Sequence, residues 1–309
     1  MKTQNYNTIL PAICVPLNED ESIHEEELRR YVSWLADFDE IGGLVTNGHT
    51  GEITSMSLAE RARVTRIVAE EVGDRVMVIS GICAEGTQTA IAEAKAAQEA
   101  GADGILLMPP HIWLRFGVTQ EAVINHYRKI AAAIDIGIII HLYPYGSKAF
   151  YPVETLLELA KIPNVKAVKM GTRQQAVYEK DIRVLRENAP DLTILTCHDE
   201  YLLTSMFPGV DGALIGFAGC IPELITEMWK AVKAKDFVKA LEIEQKVSAM
   251  SEAIYGVGQP SGEAHARMKY AIYRRGIFSS PKMKEPVLPI HDKEKKQIEA
   301  ALQKAGLLK

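Results

Sequence analysis

Short apolar runs alternate with longer amphipathic ones along almost the whole chain. Residues 9–15, 43–46, 76–80, 104–108, 136–143, 165–169, 192–196 and 213–215 read as strands. Between them, helical periodicity covers residues 23–38, 57–72, 87–100, 119–133, 152–160, 174–188, 200–207 and 222–234; the first sets Leu28, Tyr31, Val32 and Leu35 on one face. The punctuation agrees. Ser57 followed by Glu60 is a capping-box signature, Gly101 closes the alanine-rich third helix, and Pro109-Pro110 and Pro144 stop the strands before them.

Eight such βα units, with strands apolar on both faces, predict an all-parallel sheet covered by helices. Eight is also the number that closes a (β/α)8 TIM barrel. The alternative, a doubly wound open sheet, would bring a glycine-rich dinucleotide fingerprint after an early strand, and the chain has none. The expected division is a barrel over 1–235 and a C-terminal helical extension of three segments over 236–309.

Composition narrows the function classes. The chain has 309 residues and is 47% hydrophobic, ample for a full core, and its net charge of −5 gives no basic footprint for nucleic acid. No apolar stretch nears the roughly 20 residues that span a bilayer, and the polar start, residues 1–7, shows no signal peptide. Cys14, Cys83, Cys197 and Cys220 lack metal-ligand spacing. A cytoplasmic protein with reduced thiols is expected.

In a TIM barrel the chemistry sits at the C-terminal ends of the strands. The sixth strand ends in Lys169, where desolvation favours a neutral, nucleophilic amine. The second strand leads into Gly48-His49-Thr50-Gly51-Glu52, a turn whose amides, with the Thr50 hydroxyl, suit a carboxylate. Four of the eight histidines, His49, His111, His141 and His198, fall at strand ends; His24, His126, His265 and His291 are expected on the surface. Tyr143 shares a strand face with His141, Ile215 and Gly216 leave room at the mouth, and Trp113, Arg115 and Phe116 are placed as a partly apolar pocket wall.

These strand ends resemble the dihydrodipicolinate synthase/N-acetylneuraminate lyase family of Schiff-base aldolases. The resemblance runs from Ile9-Leu10-Pro11-Ala12 to Met283-Lys284-Glu285-Pro286-Val287-Leu288-Pro289 and is most specific at Gly48–Glu52 and Lys169. It implies that Lys169 forms the Schiff base and that His49 and Thr50 hold the carboxylate of pyruvate or another 2-oxo acid. It further implies a barrel with C-terminal helices, a homo-oligomer (tetramer or dimer), and no metal or other cofactor. The departures are equally specific. His141 stands where the family has its strand-five tyrosine, His49 replaces the hydroxyl of the synthase relay, and His111 replaces the aromatic that reaches a neighbouring site. Gly146 stands where the synthases carry an arginine for the second substrate, which argues against condensation of pyruvate with aspartate semialdehyde.

The expectation is therefore a lyase acting on a 2-oxo acid and an unidentified aldehyde, with hydration or dehydration at the same imine as a close variant. Catalysis falls to Lys169, His141, Tyr143 and His49, and substrate binding to Gly48, Thr50, Gly51, His111, Ile215 and Gly216. If His141 relays protons as an ordinary imidazole, activity should titrate at about pH 6 to 7. Two rivals stand beside this reading. His49, His111 and His141 could hold a metal for hydrolysis, since three imidazoles with an open position make a catalytic zinc site. The barrel could also be a non-catalytic 2-oxo-acid sensor.

Overall fold

Eight strands, β1 (Ile9–Pro11), β2 (Gly43–Thr46), β3 (Met77–Ile82), β4 (Gly104–Leu107), β5 (Gly137–His141), β6 (Val165–Met170), β7 (Thr193–Thr196) and β8 (Gly212–Ile215), pair in parallel in the order β1-β8-β7-β6-β5-β4-β3-β2. Bridges from Ile9 to Ile41 and Ala12 to Val45 join the two ends, so the sheet closes into a barrel and the open-sheet alternative falls away. The computed structural model describes residues 5–256 and 262–308. Residues 1–4 of the polar start, and residues 257–261 and 309 of the C-terminal range, lie outside the described residues.

Alternation along the strands divides the core. Leu10, Val45, Leu106, Ala167 and Leu214 meet inside the barrel, while Ile9, Leu44, Ile105, Ile140 and Val168 face the helices. β6 breaks the alternation once. Ile138 pairs with Val165 and Ile139 with Ala167, leaving Lys166 as the extra residue of a β-bulge. Lys166 is exposed and donates to the carbonyl of Pro163 at 2.8 Å. Past the bulge the order is regular, with Ala167 inward, Val168 outward and Lys169 on the wall of the cavity above.

The helices are α1 (Glu25–Leu35), α2 (Leu58–Val72), α3 (Thr87–Glu99), α4 (His111–Phe116), α5 (Gln120–Ala131), α6 (Val153–Ala160), α7 (Gln175–Asn188), α8 (Leu202–Met206), α9 (Phe217–Cys220), α10 (Pro222–Lys233), α11 (Phe237–Tyr255), α12 (Gly262–Arg274) and α13 (Asp292–Ala305). The capping box at Ser57 and Glu60 forms. α4 was not legible in the pattern: it is a short exposed helix whose first amides, those of His111 and Ile112, donate to the Glu85 carboxylate at 3.1 and 2.8 Å. The helix expected over 200–207 is instead a 3₁₀ turn, Asp199–Tyr201, followed by α8. Among the described residues no helix is long and apolar enough to cross a membrane.

Candidate active site

Above the strand ends lies a cavity of about 520 Å³ whose wall includes His49, Thr50, His111, His141, Tyr143, Lys169, Arg173 and His265. β6 must pass close to β5 to deliver Lys169 there. Two residues later, a Cβ at Gly171 would collide with the carbonyl oxygen of Leu142. Gly171→Ala is therefore expected to cost about 1–3 kcal/mol through a forced backbone shift. A lower urea midpoint would register that cost, and an unchanged one would show that β6 has room to move.

The turn after β2 is rigidly made. Asn47 takes a left-handed φ of 52°, and its side-chain amide donates to Arg61 O, Thr65 Oγ1 and Ser80 Oγ at 2.9–3.0 Å. Within the turn the amides of Gly51 and Glu52 are bonded to the carbonyls of Gly48 and His49. No hydrogen bond is found for the amides of His49 and Thr50 among the described residues, and Gly48, His49 and Thr50 all border the cavity. Unpaired amides of this kind suit an anion.

Opposite this turn the Tyr143 hydroxyl lies between two imidazoles, 3.4 Å from His49 Nε2 and 3.3 Å from His111 Nε2. The His141 ring packs against Tyr143 at 5.1 Å and His49 at 5.6 Å between centroids, and its buried Nδ1 has no partner among the described residues. The rings of His49 and His111 are near-parallel with centroids 6.2 Å apart. Among the described residues no three His, Cys, Asp or Glu side chains are arranged to hold a metal ion. The geometry around these rings is thus that of a phenol flanked by imidazoles.

Burial sets the protonation states. The Lys169 pKa is lowered by burial, with Cys197 and Asp199 opposing. His49 is pushed down to about 3, and His141 well below its ordinary value, by burial and then by the charge of Lys169. Both are neutral at pH 7, so the titration expected at about pH 6 to 7 is replaced by imidazoles that stay uncharged across that range. Burial raises the Tyr143 pKa, so the phenol keeps its proton.

Three sequence expectations need correction. His198 is not on the cavity wall: alternation on β7 turns Cys197 inward and His198 outward, where it is fully buried between Tyr178 and Tyr201, with centroids 5.0 and 4.8 Å away. His265 and His126 are not surface residues. His265, on α12, lines the cavity, and burial followed by the Lys169 charge lowers its pKa to about 4. His126 is buried, 2.9 Å from Thr87 Oγ1. Trp113, Arg115 and Phe116 do not line the cavity; Trp113 packs on His126 and Tyr151, and Phe116 is 73% exposed. From α4 only His111 and Leu114 reach it.

Ile215 and Gly216 do border the cavity, but the Gly216 amide is committed. Asp199 accepts from Gly216 N at 3.0 Å, Phe217 N at 3.1 Å and Tyr255 Oη at 2.8 Å. Burial raises the Asp199 pKa to about 6 against those three donors. Arg173, which follows Gly171 in the loop after β6, was also missed. It pairs with Glu200 at 3.0 Å and donates to Gly171 O at 3.2 Å.

Residues 5–305 match the sequence profile of the Dihydrodipicolinate synthetase family. The chain belongs to that family. Within it, the chain is 30% identical over 301 residues to a 4-hydroxy-tetrahydrodipicolinate synthase of Bartonella bacilliformis, covering 97% of this chain and 98% of that one. It is 31% identical over 299 residues to the enzyme of that name from Acidiphilium cryptum, covering 97% and 98%. Its fold is similar to that of YagE, a prophage protein of the dihydrodipicolinic acid synthase family from E. coli K12 whose structure is a complex with pyruvate. There the TM-score is 0.88 at 22% identity, covering 98% of this chain and 99% of that one. The chain is accordingly an enzyme of the lyase class, aldolase-type, as dihydrodipicolinate synthetase family members are.

Proposed function

We propose that the protein makes or breaks a carbon–carbon bond through a Schiff base between Lys169 and pyruvate or a similar 2-oxo acid. The observation that supports this most is the placement of a lysine with a lowered pKa on one cavity wall with the unpaired amides of His49 and Thr50 and the Tyr143 phenol. The neutral amine attacks the C2 carbonyl; the oxygen receives one proton from the attacking nitrogen and a second from Tyr143 and leaves as water, giving a protonated imine and the Tyr143 phenolate. The phenolate regains a proton from C3 of the imine as the enamine forms, or from the substrate hydroxyl as the C3 bond breaks, while His49 and His111, 3.4 and 3.3 Å from its oxygen, hold it in place by hydrogen bonds. The turn amides and the Thr50 hydroxyl hold the acid's carboxylate, which aims C2 at the amine. The imine then accepts the electron pair released when a bond at C3 breaks, or supplies an enamine to attack an aldehyde. His141 packs beside both Tyr143 and His49 and serves as a further neutral proton carrier.

The reading does not extend to aspartate semialdehyde as the aldehyde. Gly146 supplies no side chain where the resembling synthases carry an arginine for the second substrate's carboxylate, which argues against that aldehyde. Sodium borohydride reduction in the presence of pyruvate is expected to fix one pyruvate-derived mass on the peptide carrying Lys169. If pyruvate and a panel of longer 2-oxo acids all leave that peptide unmodified, the proposal fails.

A further inference from the structure

The carboxylate turn is tied to the C-terminal helices by a buried ion pair. Glu52, its last residue, takes a left-handed φ of 59°, a conformation that a non-glycine residue holds only when its surroundings impose it. Both of its carboxylate oxygens are engaged from the far end of the chain. Oε1 accepts from Lys269 Nζ at 2.5 Å, and Oε2 accepts from the Lys284 amide at 2.7 Å. Lys269 is completely buried, and its ammonium also donates to the carbonyl of Lys282 at 2.8 Å.

A buried ion pair is weak evidence for stability, because apolar residues of similar volume commonly serve as well; a fixed register is its better-attested use. Its neighbours on α12, Ala264, Ala266, Met268, Ala271 and Ile272, are apolar and buried, so a lysine among them is costly unless it is used. Four residues before it, on the same edge of the helix, His265 forms part of the cavity wall. Neither Glu52 nor Lys269 borders the cavity itself. α12 therefore meets the site twice, once as wall and once as the anchor of the turn that carries the His49 and Thr50 amides.

We propose that Lys269, acting through Glu52, is a positioning residue for the carboxylate-binding turn, so that α12 of the C-terminal extension sets the affinity of the site for its 2-oxo acid. This rests on the Schiff-base reading above. The experiment is a pyruvate titration of borohydride trapping in wild type, Lys269→Met, Glu52→Gln and the double variant Glu52→Gln/Lys269→Met, which leaves no lone buried charge if Lys269→Met does not fold. The pyruvate concentration for half-maximal trapping is expected to rise about 10- to 100-fold in the variants, the scale of a misplaced binding group. The trapped fraction at saturating pyruvate should stay at the wild-type value. As a control, Arg267→Ala removes the α12–α13 ion pair to Glu294 (2.6 Å) without touching the turn, and should leave the half-maximal concentration unchanged. Unchanged concentration dependence in the folded double variant overturns the inference, as does an equal rise in Arg267→Ala, which would mark general loosening of α12. Wild type that traps no 2-oxo acid at all overturns the Schiff-base reading instead, and this inference with it.

Discussion

Lys169→Ala is expected to give folded protein that traps no pyruvate and turns substrate over on the order of 10⁴-fold or more slowly, the scale on which removing a covalent nucleophile acts. Among the described residues nothing else on the cavity wall offers a primary amine: Arg173 is a guanidinium paired with Glu200, and the remaining side-chain nitrogens are imidazoles. The wild-type pH profile carries the same signature with a definite sign. Only the deprotonated amine attacks, so the trapping rate rises with pH and levels off once pH passes the Lys169 pKa. Burial lowers that pKa, so the plateau should begin below the ordinary lysine value of 10.5. His49, at about 3, and His141, well below its ordinary value, add no limb between pH 5 and 9. A rate still climbing at pH 10, or a limb near 6.5 abolished by His141→Gln, would contradict this picture.

The second large effect concerns stability. Asp199→Ala strips the acceptor from two buried amides and a half-buried phenol, those of Gly216, Phe217 and Tyr255. Each orphaned donor costs about 1–3 kcal/mol, so a destabilisation of roughly 3 kcal/mol or more is expected at neutral pH. Urea unfolding of Asp199→Ala beside wild type measures it directly. Asp199→Asn should recover only part, because one face of the amide presents donors to donors. A loss under about 1 kcal/mol would mean that the loop after β8 finds other acceptors.

Much of this was legible in the chain itself, for identifiable reasons. The strands were readable because parallel strands buried on both faces leave continuous apolar runs, and Lys169 because it ends one of them. His49 and His141 follow from the same logic of strand ends. His198 was misplaced for a reason the sequence also contains: Leu195 faces the barrel interior, so parity turns Cys197 in and His198 out. Counting residues from Leu195 would have removed it. His265 had no such signal. Its place on the wall depends on how α12 docks against a turn more than two hundred residues earlier, and only its spacing of four from Lys269 hints at a shared edge. Arg173 sits in a loop, where neither period applies. The exposed α4 lacked a buried face to reveal it; Ile112 and Phe116 face solvent while its first amides depend on Glu85.

The bulge at Lys166 has a consequence for how the chain can change in length. A regular strand transmits a one-residue insertion or deletion as a half-turn of every side chain beyond it, which would swing Lys169 out of the barrel. Because Lys166 is already surplus to the pairing of Val165 and Ala167 with neighbouring residues of β5, losing it would restore plain alternation and leave the nucleophile facing inward. β6 is thus a strand whose lower end can shorten by one residue over evolutionary time while its upper end keeps its aim.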